Sequence, residues 1–368
     1  MAYHLLGDMM KKLLSVIVVL AVVFNCAPCV RADDVPTVSA RAYALYCANN
    51  GEFIMQGSAD ERLPMASTTK ILTALIALEY AARDNREVEF TEDMITEGSS
   101  MYLEVGERVT LYDLAVGMMM QSGNDAATAA AVTISGSVEK FTELMNSKAR
   151  EIGMKNSGFV TPSGLDADGH YSTAHDMALL MACAMRNKSF RDITSHTEMT
   201  VDFIYPPDKS VTYPNHNKLL RLYDGCISGK TGYTDSAGRC LVTAAERDGL
   251  LLIAVTLDDG DDWDDHAAMY DYGFSLYKGY TPDGDVNGSL NMVGGTADTV
   301  KLRTKPCDTI AMSADNIGKI NRTVYLPAFV YAPVSRSQRL GSIIYTIDNK
   351  KIAEIPILAD EDIGYRDT

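Results

Sequence analysis

The chain has 368 residues, and 46% of them are hydrophobic, so it can bury a large core and is long enough for two domains. Charged residues make up 22% of the sequence, a balance that excludes disordered and fibrous classes of protein. The formal net charge of -16 makes the surface acidic, which repels the phosphates of DNA and RNA. We therefore expect no nucleic acid among the partners of the protein.

The first 32 residues have the pattern of an export signal. Lys11 and Lys12 precede an apolar run over residues 13–24, and residues 30–32 provide a cleavage site for a signal peptidase. The apolar run is much shorter than the roughly 20 residues that a membrane-spanning helix needs. The sequence thus predicts an exported protein without a transmembrane anchor, located in the cell-wall space or secreted.

Periodic apolar segments separated by turn residues predict strands and helices in a definite order. They are a β-hairpin with strands at 40–46 and 53–55, helices over 71–80, 110–120 and 138–152, strands over 226–230, 240–245 and 250–257, and a helix over 263–277. Thr110 and Asp113 form a capping box at the start of the second helix, and Gly153 ends the third. Because strands lie at both ends and helices in the middle, this order predicts an α+β fold in which one antiparallel sheet is flanked by helices.

The sequence changes character after residue 279. Short β-rich segments separated by turns, at 323–326, 342–346 and 351–355, predict a second, small all-β domain. We therefore predict a signal peptide over 1–32, a catalytic domain over 33–279 and a small β-rich C-terminal domain over 280–368.

The cysteines and histidines give no sign of a metal or cofactor. The five cysteines after residue 32 are scattered without metal-ligand spacing, and the six histidines contain no His-Glu-x-x-His pattern. We expect buried free thiols, with one exception: Cys226 and Cys240 are candidates to face each other across a hairpin.

Ser67 and Lys70 lie three residues apart where the helix over 71–80 begins, so their side chains project from one helical turn. This arrangement suits a serine nucleophile with a lysine base. A free lysine has a pKa near 10.4, and a base that works at neutral pH needs a drop of about three units, which burial and a second cation can supply. The alternative is an ordinary helix start, with Ser67 as the N-cap and Lys70 in solvent.

The string Ser122-Gly123-Asn124 follows the helix over 110–120 in a tight connection. Ser122 can pass a proton from Lys70 to the leaving group, and Asn124 can orient Lys70 and bind the substrate amide. Because all three residue types favour turns, this string by itself is more typical of a plain connection.

The string Lys230-Thr231-Gly232 belongs to the strand signal that begins at residue 226. An extended peptide can pair with a strand edge, where Lys230 and Thr231 hold its terminal carboxylate and Gly232 permits close approach of the backbone. A nucleotide-binding P-loop is the competing interpretation. It requires a glycine at the position of Asp224, whose carboxylate is also a poor neighbour for phosphates.

The three strings complement one another chemically. Lys230 is the second cation that lowers the pKa of Lys70. The backbone amide of Ser67 at a helix start and that of Tyr233 on the strand are the two donors that an oxyanion hole requires. Together the strings predict an acyl-serine enzyme.

With these strings in place, the chain resembles the serine-type D-Ala-D-Ala carboxypeptidases, the low-molecular-mass penicillin-binding proteins of bacterial cell walls. The resemblance covers about residues 35–360 and is carried by the segments at 64–70, 164–174, 215–220 and 229–238. It implies the penicillin-binding, β-lactamase-like transpeptidase fold, and the tail resembles the small β-domain of that family.

The resemblance also implies a reaction. Ser67 would attack the D-Ala-D-Ala peptide bond of a peptidoglycan stem peptide with Lys70 as base, Ser122 would move the proton, and water would release the acyl-enzyme. β-Lactam antibiotics would acylate the same serine. The implied substrate-binding residues are Asn124, Lys230, Thr231, Gly232, Tyr233 and His216. His216 stands where some relatives carry an arginine near the substrate carboxylate.

Other functions use the same residue types. A β-lactamase needs a group that activates water for fast deacylation, and the sequence offers no convincing glutamate for it. A D,D-endopeptidase would differ only in its substrate. A non-catalytic cell-wall-binding protein is the alternative of another class, against which the intact Ser67, Lys70, Ser122 and Lys230 argue. The acidic segment 360–368 has no apolar stripe, so we expect no C-terminal membrane anchor.

Overall fold

The structure, a computed structural model, describes residues 35–286 and 288–366. The predicted export signal over 1–32 lies outside the described residues. Within them, no helix is both long enough and apolar enough to cross a membrane.

The elements follow one another in the order that the sequence predicts, with additional helices in the middle. The helices are α1 (Lys70–Ala81), α2 (Leu111–Met120), α3 (Asn124–Ser135), α4 (Val138–Ile152), α5 (Ala174–Ala184), α6 (Lys188–Ser195), α7 (Leu219–Leu222) and α8 (Asp262–Leu276). The strands are β1 (Ala42–Cys47), β2 (Glu52–Gly57), β3 (Glu87–Glu89), β4 (Arg108–Thr110), β5 (Glu198–Asp202), β6 (Ser210–Pro214), β7 (Cys226–Thr234), β8 (Gly238–Arg247), β9 (Leu250–Leu257), β10 (Tyr277–Tyr280), β11 (Ser289–Val293), β12 (Thr299–Arg303), β13 (Ile310–Ser313), β14 (Asn321–Tyr325), β15 (Phe329–Tyr331), β16 (Arg339–Ile347) and β17 (Lys350–Ala359).

A five-stranded antiparallel sheet, in the order β2-β1-β9-β8-β7, carries the first part of the chain. Side chains alternate between its faces, so Val242 and Val255 pack in the helical core, whereas Leu241 and Leu252 pack with residues of α8. Strand β7 lies at an edge of the sheet. The predicted α+β fold with terminal strands in one sheet is confirmed.

Local sequence signals account for most helix boundaries. Thr110 and Asp113 form the predicted capping box, and Gly153 ends α4 in a left-handed conformation. The helices α3, α5, α6 and α7 were not predicted. Of these, α3 and α5 are buried on most of their faces and therefore show no polar stripe.

The C-terminal part of the chain is an all-β domain, as predicted. It contains a six-stranded sheet in the order β14-β16-β17-β12-β11-β15 and a pairing of β10 with β13. Strand β10 crosses the predicted boundary between residues 279 and 280, and this boundary stays a prediction.

The suggested pairing of Cys226 with Cys240 is wrong. In the β7–β8 hairpin Cys226 lies opposite Ala245, and Cys240 lies opposite Gly232. The two thiols are therefore separated along the hairpin, and every cysteine among the described residues is free.

Candidate active site

Ser67 lies in a 3-10 turn, Ala66–Thr69, that leads directly into α1. Ala66 has a φ of +46°, which is a strained conformation for a residue with a side chain. Gly232 of β7 packs against this turn, because a Cβ at Gly232 would lie 3.1 Å from the backbone nitrogen of Ser67. Gly164 packs against it as well, and a Cβ there would collide with the carbonyl group of Ala66. The turn that presents Ser67 is therefore held by backbone from two directions.

Lys70 is the first residue of α1 and is completely buried. Its Nζ lies 2.8 Å from Ser67 Oγ. It also lies 2.7 Å from Asn124 Oδ1 and 2.6 Å from the carbonyl oxygen of Ser163. The Asn124 amide donates through Nδ2 to the carbonyl of Glu97, which fixes Oδ1 toward Lys70.

These partners can accommodate Lys70 in its neutral state as well as in its charged state. A neutral lysine has two N–H donors and one lone pair, and the oxygens of Asn124 and Ser163 that face it can only accept. Both N–H groups are therefore directed at these two oxygens. In this neutral state the lone pair is left for the Ser67 hydroxyl, which then donates its hydrogen to Nζ, whereas a charged Lys70 donates to Ser67 Oγ.

The electrostatic environment favours this neutral state. Burial, followed by repulsion from Lys230, holds the pKa of Lys70 well below its usual range, while Asp125 acts in the opposite direction. Burial lowers the pKa of Lys230 to about 7. Among the salt bridges of the described residues, none joins either lysine to a carboxylate. The predicted cause of the low pKa of Lys70, burial plus a second cation, is confirmed.

Lys230 and Ser122 are in direct contact. Lys230 Nζ donates to Ser122 Oγ over 3.0 Å and to the Thr231 carbonyl over 2.7 Å. Ser122 has a φ of +61°, so its backbone is strained in the manner common at functional sites. Its hydroxyl makes no hydrogen bond to Lys70 among the described residues, and Lys230 is the side chain that holds it.

The connection predicted for residues 122–124 is shorter than expected, because Asn124 is already the first residue of α3. Helical geometry therefore fixes Asn124 more firmly than a turn would. The next residue, Asp125, accepts from the backbone nitrogen of Met101 over 2.9 Å and from Ser100 Oγ over 2.7 Å. These bonds tie the preceding loop to the start of α3.

A cavity of about 400 Å³ opens beside these groups. Its lining residues are Ser67, Ser99, Ser122, His216, Thr231, Gly232, Tyr233, Arg239, Asp262 and Trp263. All three strings thus contribute to one site, and His216 and Tyr233 line it as well. Partial burial, followed by repulsion from Lys230, lowers the pKa of His216, so the ring lacks the permanent charge of an arginine.

The segment that closes the site behind Lys70 was not among the predicted site residues. His170 Nδ1 accepts from the backbone nitrogen of Val160 over 3.1 Å, so its proton lies on Nε2, which donates to Thr69 Oγ1 over 2.9 Å. Burial lowers the pKa of His170 to about 4, so the ring is neutral near pH 7. His170 thereby connects the segment that carries the Ser163 carbonyl to the turn of Ser67. The family resemblance of residues 164–174 was the signal that could have identified it.

Comparisons with known proteins agree with this geometry. Residues 30–261 match the D-alanyl-D-alanine carboxypeptidase family, and residues 276–365 match the C-terminal domain of penicillin-binding protein 5. The D-alanyl-D-alanine carboxypeptidase DacF of Bacillus subtilis is 30% identical, over 96% of this chain and 95% of the relative. DacC of Escherichia coli is also 30% identical, over 90% and 86% of the two chains.

Solved structures show the same likeness. Penicillin-binding protein 5 of Haemophilus influenzae superposes with a TM-score of 0.66 and 27% identity, over 90% of this chain and 99% of that one. The Streptomyces K15 DD-transpeptidase superposes with a TM-score of 0.63 and 30% identity, over 66% of this chain and 100% of its own. The chain therefore belongs to the D-alanyl-D-alanine carboxypeptidase family of penicillin-binding proteins.

Proposed function

We propose that the protein is a serine carboxypeptidase that removes the terminal D-alanine from peptidoglycan pentapeptide stems through an acyl-enzyme. The observation that carries this proposal is the contact of 2.8 Å between Ser67 Oγ and the buried Nζ of Lys70, whose pKa burial and Lys230 hold well below its usual range. A hydroxyl beside a buried neutral amine is an activated nucleophile.

In the acylation step, Ser67 Oγ forms a bond to the carbonyl carbon between the two D-alanines as its proton moves to Lys70. The backbone amides of Ser67 and Tyr233 stabilise the negative oxygen. Lys70 then returns this proton to Ser122 Oγ while Ser122 delivers its own hydroxyl proton to the nitrogen of the leaving D-alanine. The C–N bond breaks, and Lys70 is neutral again. Asn124 keeps Lys70 in place throughout, because its Oδ1 holds one N–H of the amine.

Substrate recognition belongs to the edge of the sheet. The stem peptide pairs with β7 as an added strand, because β7 lies at an edge of the sheet. The hydroxyl of Thr231 and the positive field of Lys230 attract the terminal carboxylate. His216 lies on the same cavity and completes the wall around the peptide.

The rate of deacylation and the choice of substrate distinguish a carboxypeptidase from a β-lactamase and from a D,D-endopeptidase. Water attacks the ester carbon of acylated Ser67, and Lys70 takes the proton of the water. The bond between the acyl carbon and Ser67 Oγ then breaks, and Lys70 returns the proton to Ser67 Oγ. With β-lactams, which mimic D-Ala-D-Ala, the same serine forms an ester that water hydrolyses only slowly. A β-lactamase would instead release a penicillin rapidly, and a D,D-endopeptidase would cut cross-linked stems.

The substrate also suggests where the protein works. Peptidoglycan stems are assembled into the wall outside the cytoplasmic membrane, so we propose that the protein acts outside the cytoplasm. Its partners are the stem peptides and β-lactam antibiotics.

Acylation and turnover can be measured together in one comparison. We expect the protein to bind a fluorescent penicillin stably and to release D-alanine from a D-Ala-D-Ala peptide. Ser67→Ala should reduce both by roughly a thousandfold or more, because it removes the nucleophile. Ser99→Ala is the matched control, since Ser99 lines the same cavity and has no part in the proposed chemistry.

The possible outcomes separate the alternatives. Rapid turnover of the penicillin would assign a β-lactamase, and D-alanine release only from cross-linked stems would assign an endopeptidase. Absence of labelling in the wild-type protein would contradict acyl-serine chemistry and favour a non-catalytic wall-binding protein.

A further inference from the structure

One wall of the active-site cavity carries a charged pair that no string of the sequence indicated. Arg239, Asp262 and Trp263 line the same cavity as Ser67 and Thr231. Arg239 comes from β8 and the other two from the start of α8. The side chain of Arg239 is 44% exposed, whereas that of Asp262 is 4% exposed. A buried carboxylate therefore holds an arginine whose far side is open to the cavity.

The strand register places Arg239 beside Thr231. In the β7–β8 hairpin Thr231 lies opposite Leu241, and Tyr233 lies opposite Arg239. Residues two apart on a strand, and residues directly opposite across two strands, share one face of the sheet. Thr231, Tyr233 and Arg239 therefore share a face. Arg239 is a diagonal neighbour of Thr231, at a distance of about 7–8 Å that a long side chain can bridge.

The guanidinium group is fixed before any ligand arrives. Arg239 Nε donates to Asp262 Oδ2 over 3.2 Å, and Nη2 donates to Asp262 Oδ1. The guanidinium carbon also lies 5.9 Å from the centre of the Trp263 ring. The remaining nitrogen, Nη1, makes no hydrogen bond to any part of the chain that the structure describes. One edge of the guanidinium is therefore used internally, and the other is free to bind an anion.

The other cation of the site is poorly placed for direct contact with an anion. Lys230 lies on the opposite face of β7 from Thr231 and is 2% exposed, and its Nζ already donates to Ser122 and to the Thr231 carbonyl. Its pKa of about 7 leaves it only partly charged near neutral pH. An arginine keeps its charge at every pH at which the protein is folded.

We propose that Arg239 is a substrate-binding residue that holds the terminal carboxylate of the peptide together with the Thr231 hydroxyl, and that Asp262 is its positioning residue. This inference rests on the proposed function and deepens it. The Nη1 side of Arg239 and the hydroxyl of Thr231 contact the two carboxylate oxygens. This contact gives the enzyme its preference for a free C-terminus.

The test compares two peptides that differ only at their end, one with a free carboxylate after D-Ala-D-Ala and one with a carboxamide. In Arg239→Gln, kcat/KM for the acid should fall by roughly 10- to 100-fold, the range of a lost charge-assisted contact, mainly through KM. Hydrolysis of the amide should stay unchanged. Arg239→Lys should restore part of the preference for the acid.

Matched variants separate recognition from folding. Arg191→Gln removes another half-exposed arginine, which forms an ion pair with Glu246. This variant should leave kcat/KM unchanged for both peptides. Asp262→Asn should reduce the preference for the acid less than Arg239→Gln does, because the guanidinium remains but is no longer held. An equal fall for both peptides in Arg239→Gln would mean a structural role and would overturn the proposal.

Acylation by benzylpenicillin, which also carries a carboxylate, provides a readout that does not depend on peptide hydrolysis. If the wild-type protein cut neither peptide but was acylated, the proposed function would fail, and slower acylation of Arg239→Gln would still support the role of Arg239. Unchanged acylation of that variant would overturn it. Failure of the wild-type protein to be acylated would refute both proposals.

Discussion

Two clusters of buried polar side chains lie on opposite faces of the same sheet. On the face toward the helical core, Lys70 and Lys230 are buried without a carboxylate in contact among the described residues. On the face toward α8, His266 bonds to Thr243 Oγ1 over 2.7 Å, and Thr243 bonds to the Tyr270 hydroxyl over 2.7 Å. The first cluster adjoins a cavity, whereas the second is closed.

The difference shows how burial of polar groups produces either chemistry or stability. A closed neutral network satisfies every donor and stabilises the packing of α8 on the sheet. Burial and the charge of Lys230 disfavour a charged Lys70, and the strained φ angles of Ala66 and Ser122 lie next to the two amines. A protein retains such unfavourable arrangements at an active site, because they lower the pKa of a base and position a nucleophile.

The largest effect on the difference between the two clusters is expected from Lys70→Met, which keeps the length of the side chain and removes the amine. Because Lys70 is the base for Ser67, we expect acylation by penicillin to slow by about 10²- to 10⁴-fold. Lys148→Met is the control, since Lys148 is mostly buried but forms an ion pair with Glu79 at 2.8 Å. Stopped-flow or gel-based acylation rates measure both variants. Acylation of Lys70→Met at more than a tenth of the wild-type rate would contradict the assignment.

The pH dependence of the wild-type enzyme gives the next effect in size. As pH rises through about 7, Lys230 loses its proton, and KM for a peptide with a free carboxylate should rise by up to roughly tenfold. KM for the matching carboxamide should stay level, because it carries no charge to attract. As pH falls, Lys70 gains a proton and kcat should decrease for both peptides. An identical alkaline rise in KM for both peptides would show that Lys230 does not act on the carboxylate.

The sequence was informative where the signal is local. Ser67 precedes the apolar helix α1, Thr110 forms the capping box of α2, and Gly232 belongs to strand β7. Each of these features is encoded within a few residues of sequence. The order of the strands and helices then sufficed for the fold class, because terminal strands enclosing a helical middle have few arrangements.

The sequence was uninformative where a contact joins distant segments. The Ser163 carbonyl reaches Lys70 across 93 residues, and no residue type predicts a backbone acceptor. The prediction that Cys226 faces Cys240 was wrong because it assumed the wrong strand register. In the hairpin Cys226 lies opposite Ala245, five residues after Cys240. Arg239 was missed for the same reason, since its place beside Thr231 follows only from the register of β7 and β8.

The closed cluster gives the smallest effect on catalysis and the clearest contrast. His266→Gln should leave the acylation rate of folded protein unchanged, while the free energy of unfolding at pH 7 falls by about 1–3 kcal/mol because hydrogen-bonding partners are lost. Burial lowers the pKa of His266 from 6.5 to about 3, so the folded state resists its protonation and wild-type stability decreases as pH falls through this window. Glutamine does not titrate, so the difference in unfolding free energy between the two proteins should shrink from pH 7 toward pH 4 in urea titrations. A variant that unfolded normally but acylated slowly would mean that the closed face also serves the reaction.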